Sequence, residues 1–224
     1  MKIKSLIFDS SVILDLPLSE MKRSLNQIIS YYVEPSKFIK AYIRAFRLLQ
    51  KGKIKSEAFF DEVFKKVELP LRTQKRIIEQ HNNKRAELVK LRKDFKSVLS
   101  ALSSNYKLGV ISNMPRDWFI NDVMRLGLNT SIFNVLVFGS DEGLLKPDKR
   151  VYSRACRLLN EPVDRCVFIT NDDVEVEGAR KAGLTIITIN SDEGDLKADT
   201  ISELISILTD MDEPTKQLHE VNKP

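Results

Sequence analysis

Polar residues of the kinds that attack or bind anions stand directly after four short apolar runs. They are Asp9 after the first run, Ser112 and Asn113 after the second, Lys146 beyond the third, and Asn171, Asp172 and Glu175 after the fourth. A carboxylate can be a nucleophile or a metal ligand, hydroxyl and N–H groups bind anions, and a lysine adds a positive charge. Each residue alone is equally typical of a turn or a helix cap. Their recurrence after successive apolar runs favours one shared site.

The apolar runs have the Val, Ile, Leu and Phe composition of strands that are buried on both faces. They cover residues 4–8, 107–111, 135–138, 166–169 and 185–189. Helical patterns alternate with them over 94–104, 116–127, 148–160, 174–182 and 200–209. This alternation predicts an α/β fold with a parallel sheet. Because open parallel sheets bind ligands at the carboxyl ends of their strands, we expect the polar residues to meet there.

Residues 17–93 have a different pattern, with apolar residues at helical spacing and no strand-like alternation. We call this segment the helical insert. Gly52 is expected to end one of its helices, Ser56 to cap the next and Pro70 to end that one. The predicted organisation is a core of residues 1–16 and 94–210, a helical cap of residues 17–93 that covers the site, and a polar tail of residues 211–224.

The segments around these positions resemble the four motifs of the haloacid dehalogenase-like hydrolase superfamily. The segments are Phe8-Asp9-Ser10-Ser11-Val12-Ile13-Leu14, Val110-Ile111-Ser112-Asn113, Leu145-Lys146-Pro147-Asp148 and Val167-Phe168-Ile169-Thr170-Asn171-Asp172. Within the insert, Lys51-Gly52-Lys53-Ile54 and Glu57-Ala58-Phe59 are similar to the sugar-phosphate phosphatase branch, which has a small helical cap. The resemblance implies a three-layer, Rossmann-like sheet of strand order 5-4-1-2-3 with an inserted cap. It also implies a nucleophilic aspartate that attacks phosphorus beside a Mg²⁺ ion.

The resemblance assigns roles to four positions that keep the family's residues. Asp9 matches the nucleophile and first metal ligand, and Lys146 matches the lysine that orients the nucleophile and the phosphoryl oxygens. Ser112 matches the phosphate-binding hydroxyl, and Asn113 beside it is a second candidate for binding substrate. These assignments predict an enzyme, specifically a phosphomonoesterase.

Two positions depart from the family's pattern. Ser11 replaces the aspartate that acts as general acid and base, so that only its backbone carbonyl remains for the metal. Asn171 replaces the main metal-binding aspartate, Asp172 is a candidate substitute, and Glu175 matches the supporting acid. Loss of a general acid typically costs about a hundredfold to ten-thousandfold in rate. Mg²⁺ prefers carboxylates, so its binding is expected to be weak or absent.

Three functions therefore stay open at the level of sequence. The first is hydrolysis of a small intracellular phosphate ester through an aspartyl phosphate, with reduced activity. The second is a catalytically impaired protein that binds a phosphometabolite or a protein partner. The third is a metal-independent 2-haloacid dehalogenase, in which the same aspartate attacks carbon. Aromatic residues that would hold a halide are missing near Asp9, where Ser11 and Val12 stand.

Composition limits where the protein is expected to act and which partners it is expected to bind. The chain has 224 residues, 42% of them hydrophobic, and no apolar run long enough to cross a membrane. Two cysteines form no disulfide framework, which favours a cytoplasmic protein. The surplus of 36 basic over 31 acidic residues gives a net charge of +5, too small to indicate nucleic acid. The oligomeric state stays open.

Two further groups of residues are predicted to lie at the surface. The basic stretch from Lys84 to Lys96, which includes Arg85 and Arg92, spreads over several faces of a helix and is expected to be solvated. His81 and His219 are expected to be surface residues, since neither follows a predicted strand.

Overall fold

A parallel sheet with helices on both faces forms the centre of the fold. The structure, a computed structural model, describes residues 2–212. In chain order the strands are β1 (Ser5–Asp9), β2 (Leu14–Asp15), β3 (Lys90–Leu91), β4 (Lys107–Ser112), β5 (Val135–Phe138), β6 (Cys166–Thr170), β7 (Thr185–Ile189) and β8 (Leu196–Ala198). The order in the main sheet is β5-β4-β1-β6-β7-β8, and every pair in it is parallel.

Eleven α-helices are found among the described residues. They are α1 (Ser10–Ile13), α2 (Leu18–Ile29), α3 (Pro35–Gln50), α4 (Phe59–Phe64), α5 (Leu71–Leu88), α6 (Phe95–Ser103), α7 (Arg116–Arg125), α8 (Gly139–Glu142), α9 (Lys149–Leu159), α10 (Asp173–Ala182) and α11 (Leu204–Asp212). Short 3₁₀ turns lie at Ser56–Ala58, Thr130–Ile132, Val163–Arg165 and Ile201–Glu203. No helix within residues 2–212 is long and apolar enough to span a membrane.

The central strands are buried because helices cover both faces of the sheet, and alternate residues of each strand point to opposite faces. Every residue of β1 and β6 is buried. Phe8 packs in the cluster formed with α6, α7 and α11, whereas Ile7 packs in the cluster formed with α9 and α10. These two clusters give the three layers, and they hold the end of β1 at the middle of the sheet.

The helical insert enters and leaves through a two-stranded antiparallel ribbon. In this ribbon β2 pairs with β3, and Leu14 lies opposite Leu91. The insert helices α2–α5 pack around a hydrophobic cluster of their own, which includes Phe38 and Phe59. Trp118 of α7 packs against both this cluster and the core cluster. The insert therefore lies against the core at the start of α7.

The structure confirms the predicted α/β fold class and strand order. The five predicted strands are all present, and those at 135–138 and 185–189 have the predicted bounds. β8 extends the sheet by one strand at its edge, beyond the order predicted from sequence. Together with β2 and β3, it is too short to leave an alternating pattern in the sequence.

Three local expectations are wrong. Ser56 does not cap a helix through its side chain; its hydroxyl donates to Asp117 Oδ1 at 2.7 Å. Pro70 precedes α5 instead of ending α4, as its fixed φ suits the residue before a helix. α11 continues to Asp212, two residues into the predicted tail, and the rest of that tail lies outside the described residues.

Candidate functional site

The site is built around Asp9, the last residue of β1. Because α1 begins at the next residue, Asp9 is its N-cap and its Oδ1 accepts a hydrogen bond from Ser11 N at 3.2 Å. Its side chain is only 3% exposed. β4 and β6 flank β1 in parallel register and end beside it, at Ser112 and Thr170. The strand ends therefore bring Asp9 together with two residues that lie more than a hundred positions later in the sequence.

Lys146 approaches Asp9 from the loop between α8 and α9. Its Nζ lies 2.5 Å from Asp9 Oδ1 and 2.6 Å from Glu175 Oε2, and its side chain is 2% exposed. One ammonium group thus joins two buried carboxyl groups. The sequence predicts Asp9 and Lys146 at one site, and in the structure they form an ion pair whose ammonium also contacts Glu175.

Two sets of contacts hold Lys146 in this place. The side-chain amide of Asn113 pairs with its main chain: Asn113 Nδ2 donates to Lys146 O at 3.0 Å, and Lys146 N donates to Asn113 Oδ1 at 2.9 Å. On the other side, Gly178 of α10 packs so closely that a Cβ there would lie 2.1 Å from Pro147 O. The amide of Asn113, predicted to bind substrate, is thereby engaged in positioning Lys146.

The pKa values of the two carboxyl groups move in opposite directions. Burial raises the pKa of Asp9, but the Lys146 ammonium and the surrounding hydrogen bonds outweigh it and lower the pKa to about 2. Burial raises the pKa of Glu175 to about 9, against the opposing effect of Lys146. Burial lowers the pKa of Lys146, but the two carboxyl groups outweigh it, so the net shift is upward. At neutral pH, Asp9 is therefore ionised, Lys146 is positively charged and Glu175 is protonated.

Hydroxyl groups line the site around Asp9. Ser112 Oγ donates to Ser10 Oγ at 2.8 Å and accepts from Met114 N at 2.9 Å. Ser10 Oγ donates to Asp9 Oδ1 at 3.3 Å, and Thr170 Oγ1 donates to Asp9 Oδ2 at 3.2 Å. Hydroxyl groups can donate hydrogen bonds, the kind of contact that phosphoryl oxygens accept.

Ser11 links Asp9 to the end of β6. Its Oγ lies 2.8 Å from Asp9 Oδ2 and also contacts Asn171 Oδ1. Ser11 and Asn171 are half-buried, so this side of the site is open to solvent. Neither side chain brings a carboxyl group. Ser11 therefore contacts Asp9 through a hydroxyl, at the position where the family pattern has a carboxylic acid that acts as general acid.

The described residues do not fit a Mg²⁺ ion. Asp172 is exposed and accepts a hydrogen bond from Val174 N at 3.0 Å, so it caps α10 and does not take the role of a missing metal ligand. Asn171 Oδ1 is in contact with the Ser11 hydroxyl, and Glu175 is paired with Lys146. Within residues 2–212, no group of three or more His, Cys, Asp or Glu side chains is arranged to hold a metal ion.

Arg92 is the residue of this site that sequence reasoning placed elsewhere. Its Nε donates to the backbone carbonyl of Ser11 at 2.6 Å, and its side chain is half-buried. In the sequence it is one charge in a basic stretch. No local pattern indicates a partner that lies 81 residues earlier in the chain. Ser10 and Thr170 were also missed, although each adjoins a predicted site residue.

A separate apolar cavity of about 280 Å³ lies in the helical insert, beside α7. Its lining includes Leu25, Ile28, Tyr42, Phe46, His81 and Trp118. His81 is buried there, contrary to the surface position expected for it, and its Nε2 lies 2.9 Å from the Tyr42 hydroxyl. His219 lies outside the described residues. Asp9 and Lys146 do not line this cavity.

Comparison with known proteins identifies a sequence family. The profile of the family described as "Haloacid dehalogenase-like hydrolase" matches residues 12–189. The matched range begins just after Asp9, so the role of Asp9 depends on the geometry around it.

Two curated proteins and a solved structure illustrate the similarity. The chain is 29% identical over 139 residues to a glyceraldehyde 3-phosphate phosphatase of Methanothermobacter thermautotrophicus, covering 61% of this chain and 60% of that protein. It is 30% identical over 84 residues to a plasmid-encoded phosphoglycolate phosphatase of Cupriavidus necator, covering 38% of this chain and 36% of that protein. Both alignments thus span less than two thirds of the relative.

Among solved structures, a 2-haloacid dehalogenase from Pseudomonas syringae pv. Tomato superimposes with a TM-score of 0.69. The superposition covers 93% of this chain and 99% of that chain, at 20% sequence identity. A likeness at this identity shows a shared fold and says nothing of a shared substrate.

Proposed function

Because the chain belongs to the haloacid dehalogenase-like hydrolase family, we propose that it hydrolyses small phosphate monoesters with Asp9 as the attacking group. The observation that carries the proposal is the buried Asp9 carboxylate, whose Oδ1 lies 2.5 Å from the Lys146 ammonium. A pKa of about 2 keeps this carboxylate ionised and able to attack at neutral pH. Both aligned curated relatives are named as phosphatases, which supports the same class of reaction.

The proposed reaction has two steps. First, an Asp9 oxygen bonds to phosphorus while the bond from phosphorus to the ester oxygen breaks, and the departing alcoholate takes a proton from water. Second, water attacks phosphorus and loses a proton to solvent, the bond to the Asp9 oxygen breaks, and inorganic phosphate leaves. Lys146 supplies positive charge next to the reacting carboxylate. The hydroxyls of Ser10 and Ser112, which now donate to Asp9 and to Ser10, would turn toward the phosphoryl oxygens when substrate binds.

The serine at position 11 sets the expected rate. Its hydroxyl contacts Asp9 but cannot protonate an alcoholate as a carboxylic acid would. The reaction therefore proceeds slowly with ordinary alkyl esters and faster with esters whose alcohols leave without a proton. We expect weak turnover in place of complete loss.

The proposed substrates are small phosphate esters of the cell's soluble pool. The two aligned relatives are named for glyceraldehyde 3-phosphate and phosphoglycolate, each a short carbon chain with one phosphoryl group. The helical insert is proposed to act as the cap that selects among such esters, since it packs against the core beside the residues that follow β4. These two esters are the first to test.

A phosphate-release assay on the full chain tests the proposal. The chain is incubated at high concentration with p-nitrophenyl phosphate, glyceraldehyde 3-phosphate and phosphoglycolate, in EDTA and in Mg²⁺. We expect release that Asp9→Asn abolishes and that the control Asp15→Asn, at an exposed position in β2, leaves unchanged. Mass spectrometry of quenched samples should find one added phosphoryl group. Release that survives Asp9→Asn would overturn the role of Asp9.

Metal-independent dehalogenation is a second candidate, and one observation favours it: the described residues do not fit Mg²⁺. Here an Asp9 oxygen would bond to the carbon that bears the halogen, the halide would leave with its electron pair, and water would hydrolyse the ester. The hydroxyls around Asp9 suit phosphoryl oxygens better, so this candidate ranks second. Halide release from 2-chloropropionate in EDTA, without phosphate release, would reverse the ranking. Release of neither product would favour the catalytically impaired binding protein.

A further inference from the structure

Arg92 makes an unusual contact with the loop that carries the nucleophile. It follows β3, and its main chain is anchored by a hydrogen bond from Arg92 N to Ile13 O at 3.0 Å. Its side-chain Nε donates to Ser11 O at 2.6 Å. α1 is a single turn, so this carbonyl has no N–H group of its own helix to accept from. The guanidinium occupies the place of that missing donor.

The carbonyl that Arg92 contacts is the one that the family resemblance assigns to the metal ion. Ser11 is also joined to the nucleophile, since its hydroxyl lies 2.8 Å from Asp9 Oδ2. Among the described residues, no carboxylate oxygen lies within 4.0 Å of the Arg92 guanidinium. The arginine therefore brings a positive charge to this loop that no carboxylate neutralises by direct contact.

We propose that the Arg92 guanidinium takes the place of the divalent cation in this chain, so that the site works without metal. The positive charge then comes from Arg92 and Lys146, which approach Asp9 and its loop from two different segments. This inference concerns the cation of the site, and it holds whether the site cleaves a phosphate ester or another bond.

Arg92 and a divalent metal ion would compete for the Ser11 carbonyl oxygen, so both cannot bind there at once. Mg²⁺ needs several hard oxygen ligands and binds most firmly to carboxylates. Here the Ser11 carbonyl is taken by a guanidinium, and position 171 offers only an amide oxygen that contacts the Ser11 hydroxyl. A divalent ion at this carbonyl would also meet the like charge of Arg92 at close range, where screening by salt is weak.

A simpler role for Arg92 would be to cap the exposed carbonyl of α1, with its charge irrelevant. Two substitutions separate these roles. Arg92→Gln retains a donor for the carbonyl but removes the charge, whereas Arg92→Lys retains the charge. A capping role predicts that glutamine behaves like arginine, and a cation role predicts that lysine does.

The test measures Mn²⁺ binding by electron paramagnetic resonance, which requires no turnover. We compare the wild-type chain, Asn171→Asp, and Asn171→Asp combined with Arg92→Gln or Arg92→Lys. We expect no site in the wild type, and at least tenfold tighter binding in the Asn171→Asp/Arg92→Gln chain than in Asn171→Asp alone. The chain that combines Asn171→Asp with Arg92→Lys should bind like Asn171→Asp alone.

Several results would overturn the proposal. One is a firm Mn²⁺ site in the wild type, and another is equal binding by Asn171→Asp with and without Arg92→Gln. A third is no binding by any variant, since Arg92 would then not be what excludes the ion. Thermal unfolding checks that each variant is folded. If the Arg92→Gln variant does not fold, Mn²⁺ binding by the wild type and by the Arg92→Lys variant still tests the proposal. A failed phosphatase assay has no bearing on this measurement.

Discussion

The proton on Glu175 decides the charge of the buried site. If Asp9, Lys146 and Glu175 were all ionised, a net negative charge would be left in a place that water barely reaches. The pKa of about 9 for Glu175 removes this charge, because the carboxyl group stays neutral at pH 7. Asp9, with a pKa of about 2, stays ionised, as its proposed role as the attacking group requires. Environment thus separates the roles of two carboxyl groups that share one ammonium.

This protonation makes stability depend on pH in a predictable direction. The pKa of Glu175 rises from 4.5 to about 9 on folding, so its contribution is fully present below pH 4.5 and is lost as pH rises toward 9. The contribution of Glu175 to the free energy of unfolding should fall across this window by at most about 1.4 kcal/mol per pH unit. Glu175→Gln, which mimics the neutral acid, should flatten the slope in urea unfolding.

The control for this prediction is Glu177→Gln, an exposed position on the same helix. It should keep the wild-type slope. Asp9 and Lys146 do not disturb this measurement. The stability that ionised Asp9 contributes is lost only below pH 3.8, and the stability that charged Lys146 contributes is lost only above pH 10.5. Equal slopes in Glu175→Gln and the wild type would show that Glu175 is ionised.

Ser11→Asp should restore the missing general acid. With alkyl phosphates, whose alcohols need a proton to leave, we expect a gain in kcat of about a hundredfold. With p-nitrophenyl phosphate, which leaves without a proton, the gain should be small. Ser11→Asn has nearly the same shape but cannot donate a proton as an acid, so it should give no gain. A gain that is the same for both kinds of ester would exclude acid catalysis as its cause.

At the level of secondary-structure elements, α10 and the loop before α9 determine where Lys146 lies. A Cβ at Gly178 would lie 2.1 Å from the Pro147 carbonyl oxygen, so one helix rests directly on the backbone of that loop. Alanine normally favours a helix over glycine by about 1 kcal/mol. A backbone clash of this size outweighs that gain, because neither partner is a flexible side chain.

Gly178→Ala should therefore destabilise the chain by about 1–3 kcal/mol, as overpacking does in other cores. It should also lower kcat, because the displaced loop carries Lys146 away from Asp9. Urea unfolding and the phosphate-release assay measure the two effects. Glu177→Ala is the control, an exposed neighbour whose ion pair with Lys181 contributes little. A Gly178→Ala chain as stable as the control would mean that the loop yields without cost.

The long buried strands could be predicted from sequence because each is a continuous apolar run. The proximity of Asp9 and Ser112 could be predicted because they lie at the ends of neighbouring parallel strands. Shorter elements such as β2 and β8 could not be predicted, since two or three residues carry no periodicity. The amide of Asn113 illustrates a finer limit: its residue type suits substrate binding, but its position opposite the Lys146 main chain gives it a different contact.

Charged residues were the least predictable because their partners lie far away in sequence. Arg85 and Arg92 both belong to a stretch that looks solvated on a helical wheel. In the structure that stretch is divided between α5, β3 and α6, and both side chains turn inward. Arg92 meets a carbonyl and Arg85 a carboxylate, and neither partner follows from local periodicity.

At the scale of the whole molecule, an ion pair between two largely buried side chains joins the helical insert to the core. Arg85 of α5 lies 2.5 Å from Asp122 of α7, with side-chain exposures of 12% and 8%. The Arg85 guanidinium also lies 4.7 Å from the centre of the Trp118 ring. Trp118 is the single tryptophan of the chain, and it packs between insert and core. It can therefore report on separation of the two.

Asp122→Leu should loosen this junction, because it leaves the Arg85 charge without its partner in a poorly hydrated position. We expect a loss of about 2–4 kcal/mol in urea unfolding, and greater quenching of Trp118 fluorescence by acrylamide before global unfolding. Adding Arg85→Met should recover part of the loss, since it removes the buried charge, whereas Arg125, which lies 3.5 Å from Asp122, is 35% exposed and stays hydrated. Lys84→Met, which removes a more exposed charge next to Arg85, is the control and should change neither readout. Unchanged quenching in Asp122→Leu would mean that apolar packing alone holds the insert against the core.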